Sequence, residues 1–219
     1  MQMYWNYKRL NSDENISIIN SKPALFDRVN KTPFDYHYVY QSYWSFQLIK
    51  SSNPDYHVDL GSQIQHLALL SLIVPIYFVD IRLLKRTFPN VEQTSADIIR
   101  LPFASDSINS LSCLHVVEHI GLGRYGDKIN PKGTIESCLE LARVLKPGGN
   151  LFLSLPIGKP RVCFNSHRIH KPSQILDYLK GLTLVEFSAV DDHGNFLRNV
   201  EPNYLENSDY ACGLYWMTK

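Results

Sequence analysis

Three aspartates close three successive apolar stretches: Asp59 ends YHVD, Asp80 ends IYFVD and Asp97 ends VEQTSAD. A carboxylate accepts two hydrogen bonds side by side, which suits a vicinal diol. Asp80 stands nineteen residues after Gly61, near the spacing at which an acid grips a ribose after a glycine turn. Asp97, after the third stretch, is placed to meet an adenine amino group. Each alone reads as a solvated carboxylate, but three in register point to a nucleoside-type ligand. A second constellation, HVVEH, puts His115, Glu118 and His119 within about one helical turn. Such a set can move protons or hold a metal. A third, FNSHR, supplies Asn165, His167 and Arg168 among polar neighbours.

GLGRYG at Gly121–Gly126 has the Gly-x-Gly-x-x-Gly spacing of a dinucleotide loop. That spacing acts directly after a buried strand and at the opening of a helix, where backbone amides reach a pyrophosphate. Here the polar pair Glu118-His119 comes shortly before it and the turn-rich DKINPKG follows, so the nucleotide is expected elsewhere. The alternative turn, DLGSQIQH, has the single glycine Gly61, with Ser62, Gln63 and Gln65 where a pyrophosphate would need bare backbone. A cofactor without phosphates tolerates such a turn. S-adenosylmethionine, with its adenosine, sulfonium and amino-acid tail, is one.

The elements that must position these groups are legible as alternation. YHVDL, IYFVDI, VEQTSAD, DSINSLSCLH, NLFLSLPI, LTLVEFSAV and ACGLYWMT read as seven strands. QIQHLALLSLI, TIESCLELARVL and SQILDYLKG read as helices between them, and KPGG as a turn. Strands alternating with helices of this length predict a doubly wound, mostly parallel, seven-stranded α/β sheet. NLFLSLPI, apolar on both faces, is its covered central strand. Residues 1–50 form an N-terminal extension and 51–219 the main domain. The extension ends in FDYHYVYQSYWSF, where Tyr36, Tyr40, Tyr43 and Trp44 share a helical face, either laid on a core or serving as a lid over a substrate. Tyr36, Tyr38 and Tyr40 also alternate as in a strand.

Composition excludes several function classes. A net charge of +1 with no basic cluster argues against a nucleic-acid partner. Four scattered cysteines without a CxxC pair fit a reducing compartment and no zinc ribbon. The longest apolar run, LALLSLIVPIYFV, is broken by Pro75 and too short for a transmembrane segment. With no secretion signal opening the sequence, a cytoplasmic protein is expected.

From HVDLGS to SLPIGK the chain resembles the Rossmann-like S-adenosylmethionine-dependent methyltransferases. VDLGS is similar to their first cofactor motif, VDIR to the acidic end of strand two, and LARVLKPGGNLFLSLP to their helix–turn–strand signature. HVDLGS, CLHVVEHIGLGRYGD and FNSHR together resemble an uncharacterised family of methyltransferase-like domains, which implies a setting in surface-polysaccharide biosynthesis. The resemblance spans roughly residues 36–219. It departs at the first motif, where glycines are missing. It implies that Asp59, Gly61 and Ser62 line the methionine end of the cofactor. Asp80 and Ile81 would take the ribose and pack on adenine, Asp97 and Ile98 would reach the adenine edge, and His115 would lie beside the sulfonium.

Methyl transfer to a hydroxyl needs alignment and a base. His119 and His167 are the candidate bases, with Glu118 beside them. Asn165, Arg168 and Arg124 are the candidate acceptor contacts, Arg124 toward a phosphate or carboxylate. GLGRYGD would be an acceptor-side lid or a mobile surface loop. Quinone-biosynthesis O-methyltransferases similar to this fold hold a metal at a matching VVEH segment. Here His115 replaces an acid, which weakens the case for magnesium, so a divalent metal is not expected. The expected activity is O-methylation of a sugar, glycan or other small molecule. The rival is a binding module that kept the fold without turnover, and an NAD-dependent reductase is a distant third.

Overall fold

The computed structural model describes residues 2–10 and 14–219. It divides the chain into two units, Met1–Phe34 and Asp35–Lys219. The first holds helix α1 (Gln2–Leu10), no residue of which is buried. It also holds a short 3-10 turn, Ile18–Asn20, whose Ile19 N–H is capped by the Ser17 hydroxyl. Its polar, turn-forming text gives it little to bury. The division therefore falls at 34/35 and not at 50/51, which lies inside the next helix.

That helix, α2 (Tyr36–Ser52), begins at Asp35, whose carboxylate accepts the Tyr38 N–H, and ends at Asn53 in the left-handed conformation. Its buried face is Gln41, Trp44, Ser45, Leu48 and Ile49. Of the four aromatics expected on one inner face, only Trp44 is fully inside, edge-on to Phe152 with its indole N–H donating to Glu186. Tyr36 and Tyr43 are about half exposed. The i, i+3, i+4, i+7 stripe that packs is set one step round, by Gln41, Trp44, Ser45 and Leu48.

The sheet follows in the larger unit: β1 (His57–Leu60), α3 (Ile64–Leu70), β2 (Ile76–Asp80), β3 (Val91–Ser95), β4 (Ile108–Leu114), α4 (Gly133–Val144) and β5 (Leu145–Ile157). Then come β6 (Arg161–Cys163), β7 (His167–Ile169), α5 (Pro172–Tyr178), β8 (Thr183–Val190), β9 (Phe196–Leu197) and β10 (Ala211–Thr218). The order is β3-β2-β1-β4-β5-β10-β8-β9. The first five strands pair in parallel, and β10 runs antiparallel between β5 and β8. The sheet has eight strands where seven are expected. The extra one, β9, is a two-residue edge on β8, too short to show a period. β6 and β7 form a separate hairpin.

The period of two decides what each face covers. Along β5, Leu151, Leu153, Leu155 and Ile157 join the core beneath α4 and α5, while Phe152 joins the core beneath α2 and α3. The expected KPGG turn is a bulge at the start of β5: Ile108 pairs with Leu145 and Ser110 with Asn150. Gly148 there has φ +76°, which glycine adopts without steric penalty.

Candidate active site

The carboxyl ends of β1 to β4 open on one cavity of about 650 Å³, including its part open to solvent. Strand order reverses here, with β2 and β3 on one side of β1 and β4 and β5 on the other. Doubly wound sheets hold ligands in this crevice. Of the residues expected to hold a nucleoside, Gly61, Asp80, Ile81, Asp97, Ile98 and His115 line it. One Asp80 oxygen accepts the Arg82 N–H at 2.7 Å, and a Cβ placed on Gly61 would lie 3.3 Å from the other. Asp97 caps its own turn by accepting the Ile99 N–H at 3.2 Å.

Asp59 and Ser62 lie under the cavity wall instead. Asp59 is fully buried, accepting the Ser62 N–H at 3.1 Å and the Ser112 hydroxyl at 2.5 Å. With its hydroxyl proton on Asp59, Ser112 accepts from His57 Nε2 at 2.8 Å. His57 Nδ1 then accepts from the Ser110 hydroxyl at 2.8 Å. This chain needs a neutral imidazole. Burial first, and then His66, lowers the His57 pKa to about 3. The Ser62 hydroxyl oxygen is buried without a hydrogen-bond partner, an omission folded proteins rarely leave unexplained.

HVVEH does not form the expected helical turn of converging ligands. Directly after β4, His115 sits at φ +56°, a left-handed conformation uncommon outside glycine, and Val117–His119 make a 3-10 turn. His115 Nδ1 lies 2.7 Å from a Glu118 oxygen, and its Nε2 lies 3.4 Å from the Cys212 sulfur. Burial acts to lower the His115 pKa, but Cys212 and Glu118 outweigh it and raise it to about 10. Burial likewise acts to raise the pKa of fully buried Glu118, and His115 and His119 hold it below the usual range. His119 lines the cavity. Its Nδ1 is 2.6 Å from the Ser166 carbonyl, and so carries the proton, leaving Nε2 with its lone pair 3.7 Å from Glu118.

The GLGRYG stretch explains its own glycines. Gly121, Gly123 and Gly126 all have positive φ, and the amides of Gly121, Gly123 and Tyr125 all point at the carboxylate of Asp127. Burial acts to raise the Asp127 pKa, and these backbone donors prevail and hold it down. Amides that could cradle a phosphate are thus occupied by the loop's own acid. A Cβ on Gly121 would meet the Asn130 carbonyl at 2.1 Å. Tyr125 and Asp127 line the cavity, so the loop borders the nucleoside crevice. Arg82 lies over the Tyr125 ring at 4.1 Å.

The remaining expected contacts lie apart from this lining. Arg168 is buried and donates to the carbonyls of Ile120, at 2.5 Å, and Asn130, at 3.0 Å. It clamps the base of the glycine loop rather than facing an acceptor. Asn165 is exposed in the β6–β7 hairpin. His167 bonds the Ser166 hydroxyl and packs against Tyr210. Burial is the first cause of its lowered pKa. Arg124 is exposed and donates to the Ser166 carbonyl. Asp127, and His37 and Cys212 beside His115, were not among the residues expected to act. For Asp127 the signal was present, as an acid directly after the glycines.

This Rossmann-like fold is the one that solved S-adenosylmethionine-dependent methyltransferases share, and several solved structures match it. The N-methyltransferase NodS from Bradyrhizobium japonicum, determined with S-adenosylhomocysteine, is 12% identical at a TM-score of 0.57, covering 83% of this chain and 86% of its own. The 1,6-didemethyltoxoflavin-N1-methyltransferase of Burkholderia thailandensis, also with S-adenosylhomocysteine, is 12% identical at 0.52, covering 82% and 79%. The [4+2]-cyclase SpnF is 13% identical at 0.55, covering 81% and 80%. Residues 101–204 match a family described as "Caenorhabditis protein of unknown function, DUF268". No curated protein matches the sequence. Among the described residues no helix is long and apolar enough to cross a membrane.

Proposed function

We propose that the chain is an S-adenosylmethionine-dependent methyltransferase acting on a hydroxyl of a sugar, glycan or other small molecule in the cytoplasm. The observation that carries the reading is the cavity at the strand-order switch, lined by Asp80 and Asp97, with the glycine loop's amides taken up by Asp127. The residues fit the cofactor: Gly61 admits close approach, and the buried Ser62 hydroxyl lacks a partner. When bound, the cofactor supplies an electrophilic methyl group on sulfur. Asp80 would hold the ribose hydroxyls, Ile81 would pack on the adenine, and Asp97 with Ile98 would reach the adenine edge. His119 Nε2 takes the acceptor's proton, and buried Glu118 favours the imidazolium that results. Tyr125 and Arg82 limit water at the rim.

A sugar acceptor suits the polar hairpin with Asn165 and His167, the Tyr210 ring beside it and the exposed guanidinium of Arg124, which fits a nucleotide-sugar phosphate. A role in surface-polysaccharide biosynthesis follows from that acceptor class. The single-glycine turn at Gly61 favours a second reading, a binding module without turnover. Calorimetric titration with S-adenosylmethionine tests the cofactor, and transfer of labelled methyl to nucleotide sugars, oligosaccharides, quinols and peptides tests the acceptor. Absence of cofactor binding rejects both readings. Binding without transfer to any acceptor leaves the module, and label in quinol or peptide alone rejects the sugar.

A further inference from the structure

We propose that His37, His115 and Cys212 form a zinc site beside the cavity. One ligand atom from each lies within 4.8 Å of the other two. The three come from separate elements: the first turn of α2, the end of β4 and the start of β10. His115 Nε2 and the Cys212 sulfur are 3.4 Å apart. A tetrahedral ion with bonds of about 2.0–2.1 Å to nitrogen and about 2.3 Å to sulfur needs roughly 3.5 Å between those atoms.

The surroundings are those of a metal ligand. Glu118 bonds His115 Nδ1, which leaves Nε2 free to coordinate, and a carboxylate behind a histidine is the common outer shell of zinc sites. Two imidazoles and a thiolate select zinc or another borderline metal over magnesium or calcium. This set differs from the HVVEH trio, whose Glu118 bonds His115 and whose His119 bonds the Ser166 carbonyl. Three protein ligands leave a fourth position for water or a substrate oxygen or sulfur, whose proton the ion would acidify. The site stands independently of methyl transfer.

The test uses untagged full-length protein, stripped with a chelator and then equilibrated with zinc or cobalt alone. One equivalent of zinc should be retained at micromolar metal, and the cobalt form should show a thiolate-to-metal charge-transfer band. Glu118→Gln should weaken zinc by about 10–100-fold, and Cys212→Ser and His37→Gln by more. Cys212→Ser should abolish the band, while Cys163→Ser should keep it. A wild type that holds no zinc, or whose cobalt form lacks the band, overturns the proposal, as does equal retention by Cys212→Ser. Should Cys212→Ser not fold, the wild-type cobalt spectrum and its change in His37→Gln decide.

Discussion

Asp80 divides its carboxylate between the chain and the cavity. One oxygen caps Arg82 and the other lies toward Gly61. Asp80→Ala should weaken S-adenosylmethionine by about 1.5–3 kcal/mol, the scale of a lost charged hydrogen-bond partner, with little change in the thermal midpoint. Calorimetry finding equal affinity would remove the ribose from β2. His119→Ala should lower turnover by ~10²–10⁴-fold with cofactor affinity retained; a loss confined to His167→Ala would move the base to the hairpin. The strand-end acids were readable because a strand's carboxyl end is a property of one short segment. His37 and Cys212 were not, since they meet His115 only after three distant elements pack. Nor was the inward commitment of Asp59, which depends on Ser112 of the neighbouring strand.

At the scale of elements, the glycine loop is held as a unit. Asp127 gathers its amides from inside, and Arg168 on β7 ties its two ends through Ile120 and Asn130. Arg168→Met keeps much of the apolar stem and removes those donors. It should cost about 1.5–3 kcal/mol of stability, read as a lower urea midpoint, with faster proteolytic cutting within residues 121–130. An unchanged midpoint would make the clamp incidental. In sequence this loop is a spacing out of context; that Asp127 directly after it turns back to take its amides is visible only in the fold. α2 was legible as a helix but not in its inner face, because Gln41 and Ser45 reach the interior by bonding Ser154 and a helix carbonyl.

For the whole molecule, His57 ties stability to pH. The unfolded chain takes up a proton near pH 6.5, and the folded chain refuses it until about pH 3. The stability contributed by His57 is therefore complete above about 6.5 and falls as pH drops through that window. His170, lowered to about 4 chiefly by burial, acts with the same sign. Urea titrations at several pH values should show His57→Asn losing less stability between pH 7 and pH 4.5 than the wild type. Parallel slopes would mean that the Ser110–His57–Ser112 chain does not discriminate protonation. The doubly wound, mostly parallel sheet was within reach of sequence, since alternation and double-sided strands define it, whereas the place of β10 between β5 and β8 was not. β9 and the hairpin were not, because two- and three-residue strands carry no period.

Asp127 has one further consequence. The loop carries a resident guest, a carboxylate seated where a mobile anion would otherwise compete, so its shape should be indifferent to phosphate or sulfate in the surroundings. Asp127→Ala evicts that guest. The variant should then become an anion sensor: cutting near Arg124 should quicken in chloride and slow again when acetate or phosphate is added. A wild type that responds to those anions as strongly as the variant would show that the seat was never taken.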